Sequence, residues 1–142
     1  MKINTLLLEK LYIQLNDKKH VHPDPLEFLY LYEADRDREV VGLIAALLAY
    51  GRVEQILKSV SGVLEKMNPS PYEFICRGSF EKFQEEFKAF QHRFTTGDQL
   101  AALLEGVRLV LKKQGSLVLC FKKHLKGMHD NVLTALTASV AE

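Results

Sequence analysis

Along most of the chain, apolar residues return every third or fourth position, the spacing of one face of an α-helix. The densest run falls within residues 37–52, where residues 40–49 carry no polar side chain. A helix apolar on every face belongs inside a protein. It is too short to cross a bilayer, which takes about 20 apolar residues, so the pattern predicts a central helix over about residues 37–50 covered by other helices. Asp35 and Asp37 are expected to supply capping oxygens and negative charge at its positive end, and Gly51 the left-handed residue that stops it. The turn Tyr50-Gly51-Arg52 should then lie where the buried helix surfaces.

The remaining elements follow from the same periodicity and its punctuation. Ile3, Leu6, Leu7, Leu11 and Leu15 predict an amphipathic first helix. Asp24, Pro25 and Glu27 read as cap, first helical position and capping box of a short second helix ending near Glu33. Val53, Ile56, Leu57, Val60, Leu64 and Met67 predict a helix that folds back on the central one as a hairpin. Ser70, Pro71 and Glu73 repeat the cap and box for a helix ending near Arg77-Gly78. Phe80, Phe83, Phe87 and Phe90 then form an aromatic stripe, expected in the core, with Glu81, Lys82, Glu85 and Glu86 opposite. Thr96 and Gln99 offer another capping box before Leu100, Leu103, Leu104, Val107 and Leu111, and Gly115 closes that helix. Residues 116–126 and 130–141 predict two final helices. No stretch alternates as a half-buried strand does, and neither Asn-Gly nor Asp-Gly occurs. The expectation is an all-α, compact bundle of about eight helices around residues 37–50.

Composition narrows this picture modestly. With 142 residues, 47% of them hydrophobic, the chain can bury one ordinary core, so a single domain is expected. The last helix reaches the terminus, which leaves room for a longer natural protein. A net charge of +1 gives no global pull towards nucleic acid or membrane, so an electrostatic partner must read a local patch. Cys76 and Cys120 stand apart, which suits two buried thiols in a reducing compartment and a cytoplasmic location. Glu9 and Lys10 interrupt the apolar start, so no signal peptide is read there, and no membrane partner is expected.

Three groups invite a chemical reading. Asp35, Asp37 and Glu39 crowd three carboxylates, but a helix start favours acids by itself and Arg36 and Arg38 neutralise them. His20, His22 and Asp24 could begin a zinc site, yet zinc needs three or four ligands and no further one is evident. No metal, cofactor or catalytic residue is assigned, and neither a nucleophile signature nor a phosphate-binding glycine loop occurs. The third group is basic. Over residues 106–129, Arg108, Lys112, Lys113, Lys122, Lys123 and Lys126 are opposed by no Asp or Glu, the one-sign pattern that phosphate contacts need. Arg52, held by its turn, could pair with phosphate or stack on a base, or could cap helix carbonyls.

Asp24-Pro25-Leu26-Glu27-Phe28, residues 40–52 and His92-Arg93-Phe94 with the following Thr-Gly-Asp resemble an uncharacterised bacterial family of hypothetical proteins, a domain of unknown function. The Ala-Tyr-Gly-Arg turn is the most specific part. More distantly, a buried helix, turn and amphipathic helix are similar to the opening of the helix-hairpin-helix DNA glycosylases. Leu47-Leu48-Ala49-Tyr50-Gly51 covers their Leu-Leu-Ser-x-Gln, with Gly51 where the family has its wedge Gln. Their Leu-Pro-Gly-x-Gly hairpin and catalytic Lys and Asp have no counterpart here, so the resemblance implies a related helical module that does not excise bases by itself. The expected function is therefore nucleic-acid binding, with DNA as partner, through Tyr50, Gly51, Arg52, Arg108, Lys112, Lys113, Lys122, Lys123 and Lys126. The alternative is a protein-interaction or self-association module, a homodimer through an exposed apolar face.

Overall fold

The computed structural model describes residues 5–125, together with Val132 and Thr137. The elements run α1 (Thr5–Leu15), 3-10 turns at Lys18–His20 and Pro25–Leu31, then α2 (Asp35–Leu47), α3 (Val53–Lys66), α4 (Pro71–Arg77) and α5 (Phe80–Phe87). A two-residue pair, β1 (Gln91–His92) and β2 (Thr95–Thr96), precedes α6 (Gly97–Gln114) and α7 (Leu117–Leu125). The architecture is all-α around α2, with one minimal hairpin. The helix expected over residues 130–141 and Lys126 lie outside the described residues.

One hydrophobic cluster joins α2 through α6. Val40, Val41, Ile44 and Leu48 meet Ile56, Val60 and Leu64 of α3, Phe83 and Phe87 of α5, and Leu100, Leu104 and Leu111 of α6. Two of the four stripe phenylalanines are thus buried, while Phe90 is half-buried and Phe80 more open. α5 packs most extensively on α6. That approach is close because Gly97, the first residue of α6, is buried and has no side chain: a methyl there would overlap the Phe87 carbonyl oxygen. No described helix is long and apolar enough to cross a membrane.

The acidic residues near the start of α2 do not cap their own helix. Ala34 occupies the cap position and makes no side-chain cap bond. Asp37, 8% exposed, instead accepts from Ser70 Oγ at 2.6 Å and from Tyr72 N at 2.9 Å, fastening the start of α4. Glu39 accepts from Ser116 Oγ and from Leu117 N at 2.8 Å, fastening the start of α7. The central helix therefore holds two others by their free N–H groups, where a carboxylate is also favoured by the dipole. Asp37→Ala leaves a hydroxyl and an N–H without their acceptor in a dry site. It should cost about 2–3 kcal/mol by urea denaturation, with the helical circular dichroism of the folded state retained.

Several sequence expectations need correction. The segment after Asp24 is a 3-10 helix and not an α-helix to Glu33: Asp24 accepts from Leu26 N, and Glu27 binds His22 Nδ1 at 2.7 Å instead of closing a capping box. The α2 helix stops at Leu47, so residues 48–50 already belong to the turn, and Ala46 and Leu47 face solvent. Cys120 is buried, whereas Cys76 is exposed on the outer face of α4. The hairpin at residues 91–96 carries no turn dipeptide of the usual kind. By contrast, Ser70 caps α4, Thr96 and Gln99 form a full capping box, and Gly115 ends α6 at φ +79°.

Candidate functional site

The turn after α2 and the hairpin before α6 are far apart in sequence and interlocked in space. His92 is 2% exposed and sits between them. Its Nε2 meets the Tyr50 carbonyl at 3.1 Å and its Nδ1 meets Ser59 Oγ at 2.8 Å. A carbonyl can only accept, so the neutral ring carries its proton on Nε2 and Nδ1 accepts from the Ser59 hydroxyl. Tyr50 returns the bond: its hydroxyl donates to the His92 carbonyl at 2.9 Å and accepts from Thr95 Oγ1 at 2.6 Å. The two rings meet edge to face at 4.7 Å. Every polar group of this small buried network thus has a partner, which makes it a rigid joint.

The joint holds up an unusual tip. Two residues, Arg93 and Phe94, link the strands, and Arg93 has φ +51°. A non-glycine residue there is strained by about 1–3 kcal/mol and persists only where its surroundings enforce it. Gln91 helps by donating from its side-chain amide to the Arg93 carbonyl. The Arg93 side chain runs across Gly51: a Cβ on that glycine would stand 2.8 Å from Arg93 Cδ and 3.2 Å from its guanidinium. Gly51 itself has φ +108°, so it serves both turn geometry and this close approach. The result is Phe94, 80% exposed, with the Arg93 guanidinium 5.5 Å from its ring centroid.

Arg52 follows Gly51 in the chain. It occupies the cap position of α3, is exposed, and makes no ion pair among the described residues. Glu54, the acid nearest in the chain, is in the first turn of α3, where the dipole favours it. The tip therefore presents two guanidinium groups and an aromatic ring to solvent. Tyr50 is half-buried with its hydroxyl engaged twice, so it anchors the turn from below.

The basic stretch is placed elsewhere. α6 begins at the hairpin, and Lys112 lies 15 residues along it, about 22 Å away at 1.5 Å per residue. Lys112 and Lys113 are in the last turn of α6, and Lys122 and Lys123 in the last turn of α7, where lysines complement the negative end of a helix dipole. Arg108 is half-buried and bound through two nitrogens to Glu105 at 2.6 and 2.8 Å. That hydrogen-bonded pairing holds the Glu105 carboxyl below its usual range and lifts Arg108 further. Glu105 stands one residue before the stretch counted as free of acids. Lys112 thus stands well away from the hairpin along α6, while the Arg93 side chain crosses Gly51, the residue before Arg52.

The other candidate groups also take structural posts. Asp35 pairs with Arg38, Asp37 and Glu39 cap distant helices, and His22 pairs with Glu27. No cluster of three His, Cys, Asp or Glu suited to a metal occurs among the described residues.

The sequence profile of a protein family described as a protein of unknown function (DUF2400) matches residues 24–142. The chain belongs to this family. Neither a curated protein nor a solved structure matches it. The family match begins at Asp24, the cap of the 3-10 helix, so the interlocked turn and hairpin fall inside it and α1 falls outside.

Proposed function

We propose that the chain binds nucleic acid, with DNA as the partner, and that it does so at the tip formed by Arg52, Arg93 and Phe94. The observation that carries this reading is Phe94: a large aromatic ring on a two-residue turn, exposed over most of its surface, and held there by a strained neighbour and a buried network. Rings offered to water on a rigid support are suited to stacking on bases, which every base permits, and flanking guanidinium groups pair with phosphate. Gly51, Tyr50 and His92 position these three. Lys112, Lys113, Lys122 and Lys123 provide a second basic region for backbone contacts further along a strand. The likeness of residues 47–51 to the glycosylase motif fits the same use of this turn, with Phe94 rather than Gly51 as the wedge.

Fluorescence anisotropy with short single- and double-stranded DNA at two salt concentrations tests this. Affinity should fall with salt, Phe94→Ala should weaken it about tenfold, as loss of one stacked base does, and Arg52→Ala should lower the salt slope by about one. Affinity indifferent to salt and to Phe94→Ala would remove the reading.

A second reading, self-association, has one observation in its favour. None of the residues of α1 is buried, and Leu6, Tyr12 and Ile13 are more than half exposed. A second copy could cover this helix, so deleting residues 1–16 would turn a dimer into a monomer on light scattering. A full-length chain that is monomeric at high concentration would exclude it.

A further inference from the structure

Beside the tip, between α3 and the segment joining α5 to β1, runs a groove of about 350 Å3. We propose that this groove receives one unpaired base of a DNA strand whose neighbouring base stacks on Phe94. The inference rests on the nucleic-acid reading of the tip and adds a base-binding subsite to it.

Position comes first. Gln55 lies one turn beyond Arg52 on α3, and Gln91 lies two residues before Arg93, and both line the groove. A strand held at the tip therefore reaches it without leaving the surface. Charge agrees. Lys66 is neutralised by Glu86, whose carboxylate lies 3.0 Å away, while Lys58 makes no ion pair among the described residues. The groove thus keeps one uncompensated cation, the complement of a single phosphate.

The lining suits a base. Phe90 contributes an apolar wall, and Gln55 and Gln91 carry amides, which hold donor and acceptor side by side as a base edge does. Gln91 uses its nitrogen on the Arg93 carbonyl, so its oxygen is the group left to accept. The volume is at the small end of ligand sites, which run from about 300 Å3 upward, and so fits one base better than a dinucleotide.

Gly62 lines the groove from the middle of α3, where glycine is the least favourable residue after proline. Nothing lies within 4 Å of the Cβ it lacks, so neither packing nor backbone geometry calls for a glycine there. What its missing side chain does is leave the groove open.

The test uses anisotropy with a 12-mer of deoxyadenosine and with an abasic strand of equal length and charge. Gly62→Leu, which fills the groove and improves the helix, should bind the 12-mer about tenfold more weakly than wild type and the abasic strand equally well. Its melting temperature should not drop, which separates blocking from unfolding. Wild-type binding that Phe94→Ala weakens and Gly62→Leu leaves unchanged would overturn the groove and keep the tip. A wild type that binds neither strand would overturn both.

Discussion

Gly97→Ala should lower stability by about 3 kcal/mol or more, the upper range of overpacking costs. At this chain length that is a drop in melting temperature of roughly 10 °C, readable by circular dichroism. The added methyl would overlap the Phe87 carbonyl oxygen and stand 2.8 Å from its carbon and 3.3 Å from Lys88 Cα. These are backbone atoms at the end of α5, so no side chain can swing aside. Relief requires α6 to move off α5, and that interface is the most extensive among the described elements. The contrast is Gly62→Ala. The same methyl meets nothing there and removes a mid-helix glycine, so it should raise stability by about 1 kcal/mol. Opposite signs from one chemical change would show that close approach, and not glycine as such, is what the α5–α6 corner needs. An unchanged melting temperature in Gly97→Ala would mean that the two helices are not in contact there.

His92→Ala should come next, at about 3 kcal/mol from the cavity and the stranded polar groups together. The substitution deprives the Tyr50 carbonyl of its donor and the Ser59 hydroxyl of its acceptor, and it removes the ring against which Tyr50 packs. The hairpin then loses its buried tie to the Tyr50 turn, so the tip should loosen and DNA affinity should fall along with stability. Ser59→Ala removes one bond only and should cost about 1 kcal/mol. Chemical denaturation and anisotropy on the same samples separate the two effects. A His92→Ala protein that stays as stable as wild type would contradict the joint described here.

What was legible in the sequence was what is encoded locally. Thr96 with Gln99, Ser70 with Pro71, and Gly115 lie within a turn of the groups they satisfy, and each did what its spacing announced. The helical order and the burial of α2 followed from periodicity for the same reason. Asp37 and Glu39 show the limit, since they bond to residues 33 to 79 positions away and their nearest neighbours advertise a cap that does not form. Glu27 had two partners within reach and took His22 over its own cap.

The tip was the least legible part. Strands of two residues are too short to show alternation. Arg93-Phe94 is no standard turn dipeptide, and the positive φ of Arg93 comes from contacts with Gly51 and Gln91 that only the folded chain supplies. His92-Arg93-Phe94 and Tyr50-Gly51-Arg52 both stood out by resemblance. That they form one site required the fold, because 42 positions separate Tyr50 from His92. In the basic stretch, four lysines lie in the last turns of two helices and Arg108 pairs with Glu105, one residue outside the stretch, which the count of charges between residues 106 and 129 did not show.

Hydrogen–deuterium exchange of the full chain with and without single-stranded DNA, at low and high salt, locates the bound strand. Protection is expected at residues 50–55 and 91–95, lost at high salt, with residues 112–123 changing less. Protection confined to residues 112–123, or none at low salt, would contradict the assignment of this tip.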